Sequence, residues 1–150
     1  VKLEGGKKIE NIIKYLVNKR IPVMGHVGLL PQSSNNFKVK GRNFIQRKKI
    51  LDDAITISNS GVFAIVLECV VEDLAKEITK SVSVPTIGIG ASKSCDGQIL
   101  VVDDMLGLSD FYPKFVKRYS NLKKIIEKSV KSYVKDVKLR KFPSNKNVYR

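Results

Sequence analysis

The chain has 150 residues, 43% of them hydrophobic, and a formal net charge of +14, a composition that can bury a core and excludes a disordered or collagen-like polymer. Its two cysteines, Cys69 and Cys95, have no C-x-x-C spacing, which indicates neither a disulfide framework nor a thiolate metal site and favours a reducing compartment. No apolar run reaches the roughly 18 residues that cross a bilayer, and no basic stretch leads into an apolar one at the start, so a soluble cytoplasmic protein with no membrane partner is expected.

In chain order, Val1-Lys2-Leu3-Glu4 is a strand-like run that stops at Gly5-Gly6, where the backbone is free to turn. Ile9, Ile12, Ile13, Leu16 and Val17 recur at helical spacing and predict a helix ending near Arg20. Ile21 to Gly28 reads as a second strand, with Pro22 tolerated only near its start because it has no N–H to give to a ladder. Leu29 to Asn43, rich in Ser and Asn with Pro31 and Gly41, predicts a long loop of the kind that carries function. Ile45, Ile50, Leu51, Ala54, Ile55 and Ile57 give a second helix its apolar face, and Asn59-Ser60-Gly61 supplies its stop.

Val62 to Leu67 is a continuous apolar run closing on Glu68 and Cys69, as a parallel strand covered on both faces requires. A third helix is expected over about Val71 to Ser81 and a fourth strand over Val84 to Ile89. The turn Gly88-Ile89-Gly90-Ala91, the segment Asp96-Gly97-Gln98 and the apolar run Ile99 to Val102 follow. Such alternation of strand and helix predicts an α/β fold with a parallel sheet, either doubly wound or part of a barrel. Beyond Pro113, Leu122, Ile125, Ile126, Val130, Tyr133, Val134 and Val137 trace an amphipathic helix opened by Ser120 or Asn121. Residues 113–150 carry 13 Lys/Arg against Glu127 and Asp136, whereas residues 1–112 carry 15 against 12 acids. The charge therefore belongs to a basic helical segment, 113–150, expected to pack on a nearly balanced body, 1–112.

Three predicted strands end in polar residues: Lys2 and Glu4, His26, and Glu68. In a parallel sheet the carboxyl ends of the strands open onto the ligand crevice, so one pocket could hold all four. Glu68 either accepts a proton in chemistry or pairs with a lysine or caps the next helix. Glu4 offers hard oxygens suited to magnesium, although one carboxylate is not a site. His26, the only histidine, donates to a substrate oxygen or satisfies a backbone carbonyl. Lys2 and Glu4 share a face by the period-two rule, to bind an anionic substrate and a metal or simply each other. Gly88-Ile89-Gly90 lacks the full pattern of a phosphate-binding loop.

Val1-Lys2-Leu3-Glu4-Gly5-Gly6, Gly25-His26-Val27-Gly28-Leu29, Lys38-Val39-Lys40-Gly41-Arg42, Leu67-Glu68-Cys69-Val70 and Ile87-Gly88-Ile89-Gly90-Ala91 through Val101 stand in this order. Together with Pro113-Lys114-Phe115-Val116 they resemble successive signatures of the ketopantoate hydroxymethyltransferases, over Val1 to about Tyr119. The resemblance implies a (β/α)8 TIM barrel of which 1–112 forms roughly the C-terminal half, since a complete barrel takes about 250 residues. It implies transfer of a one-carbon unit from 5,10-methylenetetrahydrofolate to 3-methyl-2-oxobutanoate, giving 2-dehydropantoate, with Mg2+ stabilising an enolate. In that reading Glu68 is the general base, Glu4 a metal ligand, and Lys2 and His26 substrate-binding groups. It further implies a homo-oligomer, and partners in the small-molecule 2-oxo acid, the folate and a missing N-terminal half.

Departures from the family pattern accompany the match. The family's upstream Asp-Ser pair and further aspartate have no counterpart here, the loop from Ser33 to Lys38 is short and lacks a glycine pair, Ser92 stands for a glycine, and Asp103 stands for a histidine. A truncated or split copy is therefore expected, with the chain opening inside a strand. The alternatives are an inactive remnant and a basic module binding nucleic acid through the lysine face of the last helix. Lysine faces usually only solvate a packed helix, so nucleic acid is not the expected partner.

Overall fold

The structure, a computed structural model, describes residues 1–33 and 38–149. The shortened loop expected between Ser33 and Lys38 falls largely outside the described residues. The chain divides into two compact units, Val1–Ile99 and Leu100–Arg150, and each is described by itself.

The first unit alternates strand and helix: β1 (Lys2–Glu4), a 3-10 turn (Lys7–Ile9), α1 (Glu10–Asn18), β2 (Met24–Gly28), α2 (Phe44–Asn59), β3 (Ala64–Glu68), α3 (Glu72–Ser81), β4 (Thr86–Ile89) and β5 (Gly97–Gln98). All four ladders between these strands are parallel and the strand order is β1-β2-β3-β4-β5. A doubly wound sheet reverses its strand order at a switch point. This sheet does not, and its sequential order is that of an arc of a (β/α)8 barrel.

Side chains alternate between the two faces of the sheet. Leu3, Val23, Val27, Ile65 and Leu67 fall on one face and pack with Ile13, Ile50, Ala54, Ile57, Leu74, Ala75 and Ile78 of the helices into one apolar cluster. Close approach of α2 to the sheet depends on Gly25, where an added Cβ would lie 2.6 Å from Ile57 Cδ1. The opposite face carries the even-numbered set, Lys2, Glu4, Met24, His26, Ala64, Val66 and Glu68, aligned by the registers Glu4↔His26, His26↔Val66 and Gly28↔Glu68.

Local signals explain most boundaries. The Asn43 side chain accepts the Gln46 N–H at 2.9 Å and starts α2, and Ser60 closes it. Pro22 lies ahead of β2, so the strand begins at Met24, three residues later than the apolar pattern begins. Ile45, which its apolar side chain assigns to the buried face of α2, is exposed. Five residues from Ile50 it sits about 140° around a helix of 3.6 residues per turn. The fifth strand was not expected, because Gly97-Gln98 has no apolar periodicity; the edge of β4 recruits it through Ile87↔Gly97 and Gly88↔Gln98. The apolar run behind it is not a strand: Val102 opens a helix.

The β4–β5 loop is tied down by Asp96, whose carboxylate accepts the Thr86 N–H at 2.8 Å and the Thr86 hydroxyl at 3.0 Å. These bonds, the backbone one first, hold the Asp96 carboxyl below the usual aspartate range.

The second unit holds α4 (Val102–Leu106) and α5 (Leu122–Lys138). The Asn121 side chain accepts the Lys124 N–H at 3.3 Å and opens α5. Within this unit Arg118 stacks 3.7 Å over the Tyr112 ring, and Lys123 pairs with Asp110. The apolar residues of α5 are all at least partly exposed and none is buried. Among the described residues no helix is long and apolar enough to cross a membrane.

Two outcomes follow from this packing. Leu67, fully buried among the helices, is expected to cost about 2–5 kcal/mol when changed to alanine, read as a lower denaturant midpoint. Asp96 stabilises fully above the ordinary aspartate value, and that contribution disappears as pH falls through its depressed folded value. Asp96→Asn should therefore lower the melting temperature at neutral pH and flatten its fall in acid, measured by thermal melts across a pH series.

Candidate active site

The four polar residues singled out in the sequence meet on the face of the sheet opposite the helices. Lys2 and Glu4 come from β1, His26 from β2 and Glu68 from the end of β3. Lys2 Nζ lies 3.4 Å from Glu4 Oε1 and 3.1 Å from His26 Nδ1. His26 Nδ1 is 3.6 Å from Glu4 Oε1, and His26 Nε2 is 3.3 Å from Glu68 Oε2. The imidazole thus stands between an ammonium and two carboxylates.

Burial grades across the group. The His26 side chain is 2% exposed, Glu4 7%, Glu68 18% and Lys2 44%. Burying carboxylates is costly unless they are paired and hydrogen-bonded. Glu4 meets that condition through Lys2 and through the Gln32 N–H, which donates to Oε2 at 3.1 Å. Glu68 approaches His26 within contact distance, yet the approach is not aligned for a hydrogen bond, and Nε2 is left as a buried polar atom without one.

The backbone behind Glu68 is tightly set. Its carbonyl accepts the Leu29 N–H at 2.8 Å. The next residue, Cys69, takes φ +50°, a left-handed conformation that costs a non-glycine residue on the order of 1–3 kcal/mol. It is held there by two bonds: Cys69 N–H donates to Ile89 O at 2.9 Å, and Lys40 N–H donates to Cys69 O at 2.7 Å. Burial, aided by the Glu68 charge, pushes the Cys69 thiol up from its usual value, which leaves it a poor nucleophile. The backbone bonds from Leu29 and Lys40 and to Ile89 therefore fix where the Glu68 side chain starts.

Sequence reading found the four side chains but not their supports. The Gln32 N–H is a backbone group, and a cysteine carries no signal for φ > 0. Gly28 was legible only as part of a motif; its φ is +100°, and an added Cβ would lie 2.3 Å from the Glu68 carbonyl oxygen. Ser92, in place of a glycine, is buried; its hydroxyl accepts the Ser94 N–H at 3.0 Å and its carbonyl accepts the Gln98 amide at 2.8 Å. Asp103 lies in the first turn of α4 beside Asp104.

Among the described residues no group of three or more His, Cys, Asp or Glu is disposed to hold a metal ion. Both Glu4 oxygens are engaged, one by an ammonium, so these residues alone do not fit magnesium, which takes octahedral oxygen ligation. For the supporting backbone, Gly28→Ala is expected to destabilise the chain by about 1–3 kcal/mol, read in a denaturant titration. A wild-type midpoint would mean that the Gly28–Glu68 approach is not needed.

Comparison with known proteins completes the picture. The model of the family described as Ketopantoate hydroxymethyltransferase matches residues 1–145. The chain is 57% identical over 149 residues to the 3-methyl-2-oxobutanoate hydroxymethyltransferase of Pelagibacter ubique, covering 99% of this chain and 58% of that protein. It is 53% identical over 152 residues to that of Caulobacter vibrioides, covering 99% and 55%, and 52% identical over 154 residues to that of Clostridium botulinum, covering 100% and 56%. The chain thus spans a little over half the length of the curated relatives it matches. On the family match and these identities, it belongs to the ketopantoate hydroxymethyltransferase family.

Proposed function

We propose that this chain carries the proton-abstracting part of a hydroxymethyl transfer from 5,10-methylenetetrahydrofolate to 3-methyl-2-oxobutanoate, giving 2-dehydropantoate. The observation that carries the reading is the convergence of Lys2, Glu4, His26 and Glu68 on one sheet face, with contacts of 3.1–3.6 Å. Glu68 stands at the carboxyl end of its strand with part of its side chain open, where a base must be to reach a bound substrate.

In this reading Glu68 removes the proton from the carbon next to the ketone. The resulting enolate carbon bonds to the folate methylene carbon as one C–N bond breaks, the hydroxyl of a water replaces the second nitrogen on that carbon, and the two folate nitrogens take up the proton removed by Glu68 and the proton left by the water. Lys2, the most exposed of the four, would bind the substrate carboxylate as a compact cation. Magnesium is proposed for the assembled site, with Glu4 giving one oxygen and the remaining ligands coming from the part of the relatives' length that this chain does not span. No step is assigned to the metal, because the described residues do not hold one by themselves. A ring-like homo-oligomer in the cytoplasm is the setting that agrees with this reading.

The test is complementation. The chain is mixed with the separately produced remaining portion of a relative, and folate-dependent consumption of the oxo acid is followed. Activity above either part alone is expected, and Glu68→Gln should lower kcat by about 10²–10⁴-fold, the usual share of a general base. No activity beyond blank in a folded mixture, or full activity in the glutamine variant, would reject the assignment.

A further inference from the structure

We propose that His26 is a positioning residue for Glu68, held by Lys2 as the Nε2–H tautomer so that Nε2–H steadies one Glu68 oxygen and leaves the other to take the proton. The proposal rests on the reading of Glu68 as the base, and it moves His26 from the substrate to the carboxylate that acts on it.

Both ends of the ring select the same tautomer. At Nδ1 the neighbour is the Lys2 ammonium, 3.1 Å away, which has three donors and no acceptor. Nδ1 must therefore present its lone pair. Glu4 Oε1, the other group near Nδ1, is 3.6 Å off, beyond hydrogen-bond range, and acts instead on the ammonium at 3.4 Å. With Nδ1 accepting, the ring proton sits on Nε2. There the neighbour is Glu68 Oε2 at 3.3 Å, an acceptor that would face a lone pair in the opposite tautomer and be repelled by it.

The unfinished geometry at Nε2 assigns the work. This atom is buried and lacks an aligned hydrogen bond, and a buried donor left unmade is costly to the fold. The imidazole is packed within the sheet and fixed at Nδ1, whereas the Glu68 side chain retains some exposure. Turning the Glu68 carboxylate is thus the motion that completes the bond. Once made, a charge-assisted N–H···O− contact fixes Oε2 and directs Oε1 outward to the substrate. Lys2, Glu4, His26 and Glu68 then form one relay of position across three strands.

His26 is the only histidine in the chain, so a sample labelled with ring-15N histidine gives one pair of imidazole nitrogens and no assignment problem. Long-range 1H–15N spectra of the full chain, without substrate or metal, are expected to show one protonated nitrogen, Nε2, and one bare nitrogen, Nδ1. Glu68→Gln replaces a charged acceptor by an amide and should shift the Nε2–H resonance. Lys2→Met removes the donor at Nδ1 and should shift the Nδ1 resonance. An Nδ1–H or doubly protonated ring in the wild type overturns the proposal, as does a ring spectrum that ignores the glutamine or the methionine substitution. The wild-type spectrum decides even if a variant fails to fold. Because no turnover is needed, a failed transferase assay and a failed tautomer are separate results.

Discussion

The whole site depends on one constraint, the parallel register that sets Glu4 beside His26 and Gly28 beside Glu68. Side chains in a strand alternate in direction, so a one-residue slip would send His26 into the helix-facing core and replace it with an apolar neighbour. The apolar cluster of Val23, Val27, Ile65 and Leu67 against three helices prevents that slip. The polar group and the apolar core thus occupy alternate residues of the same short strands, and the hydrophobic half enforces the geometry of the polar half.

What the register gathers is a set of charges that stand only together. Glu4 is buried with an ammonium and a backbone N–H as its partners, and His26 has almost no contact with solvent. Removing one member of such a group leaves another uncompensated, which is more damaging than never having buried the group. The backbone adds its own fixed points: a left-handed Cys69 just beyond Glu68 and a Gly28 that admits the Glu68 carbonyl. Strain of this kind persists where the surrounding structure over-determines it, here through hydrogen bonds from Leu29 and Lys40 and to Ile89.

Much of this was legible in the sequence. The apolar run before Glu68 and the helical spacing from Ile9 to Val17 specify their elements by periodicity, and polar residues at strand ends indicate the face on which they would meet. Period-two reasoning put Lys2 and Glu4 on one side, where they form an ion pair. Illegible were features set by neighbours rather than by local pattern. Gly97-Gln98 became a strand only because β4 offered an open edge, and Ile45 was drawn into the buried face by type although its angular position turns it outward. Which nitrogen of His26 meets which partner depends on three strands at once, and no spacing encodes it. The basic α5 formed as its pattern required, with its apolar residues not buried.

The central claim is that His26 and Glu68 act on each other across β2 and β3, and a double-mutant cycle measures that directly. Unfolding free energies of the wild type, His26→Leu, Glu68→Gln and the double variant give the coupling between the two side chains. The account predicts a coupling of about 1 kcal/mol or more, within the range for residues sharing one polar network. Additivity to within about 0.5 kcal/mol, as for independent sites, would contradict it.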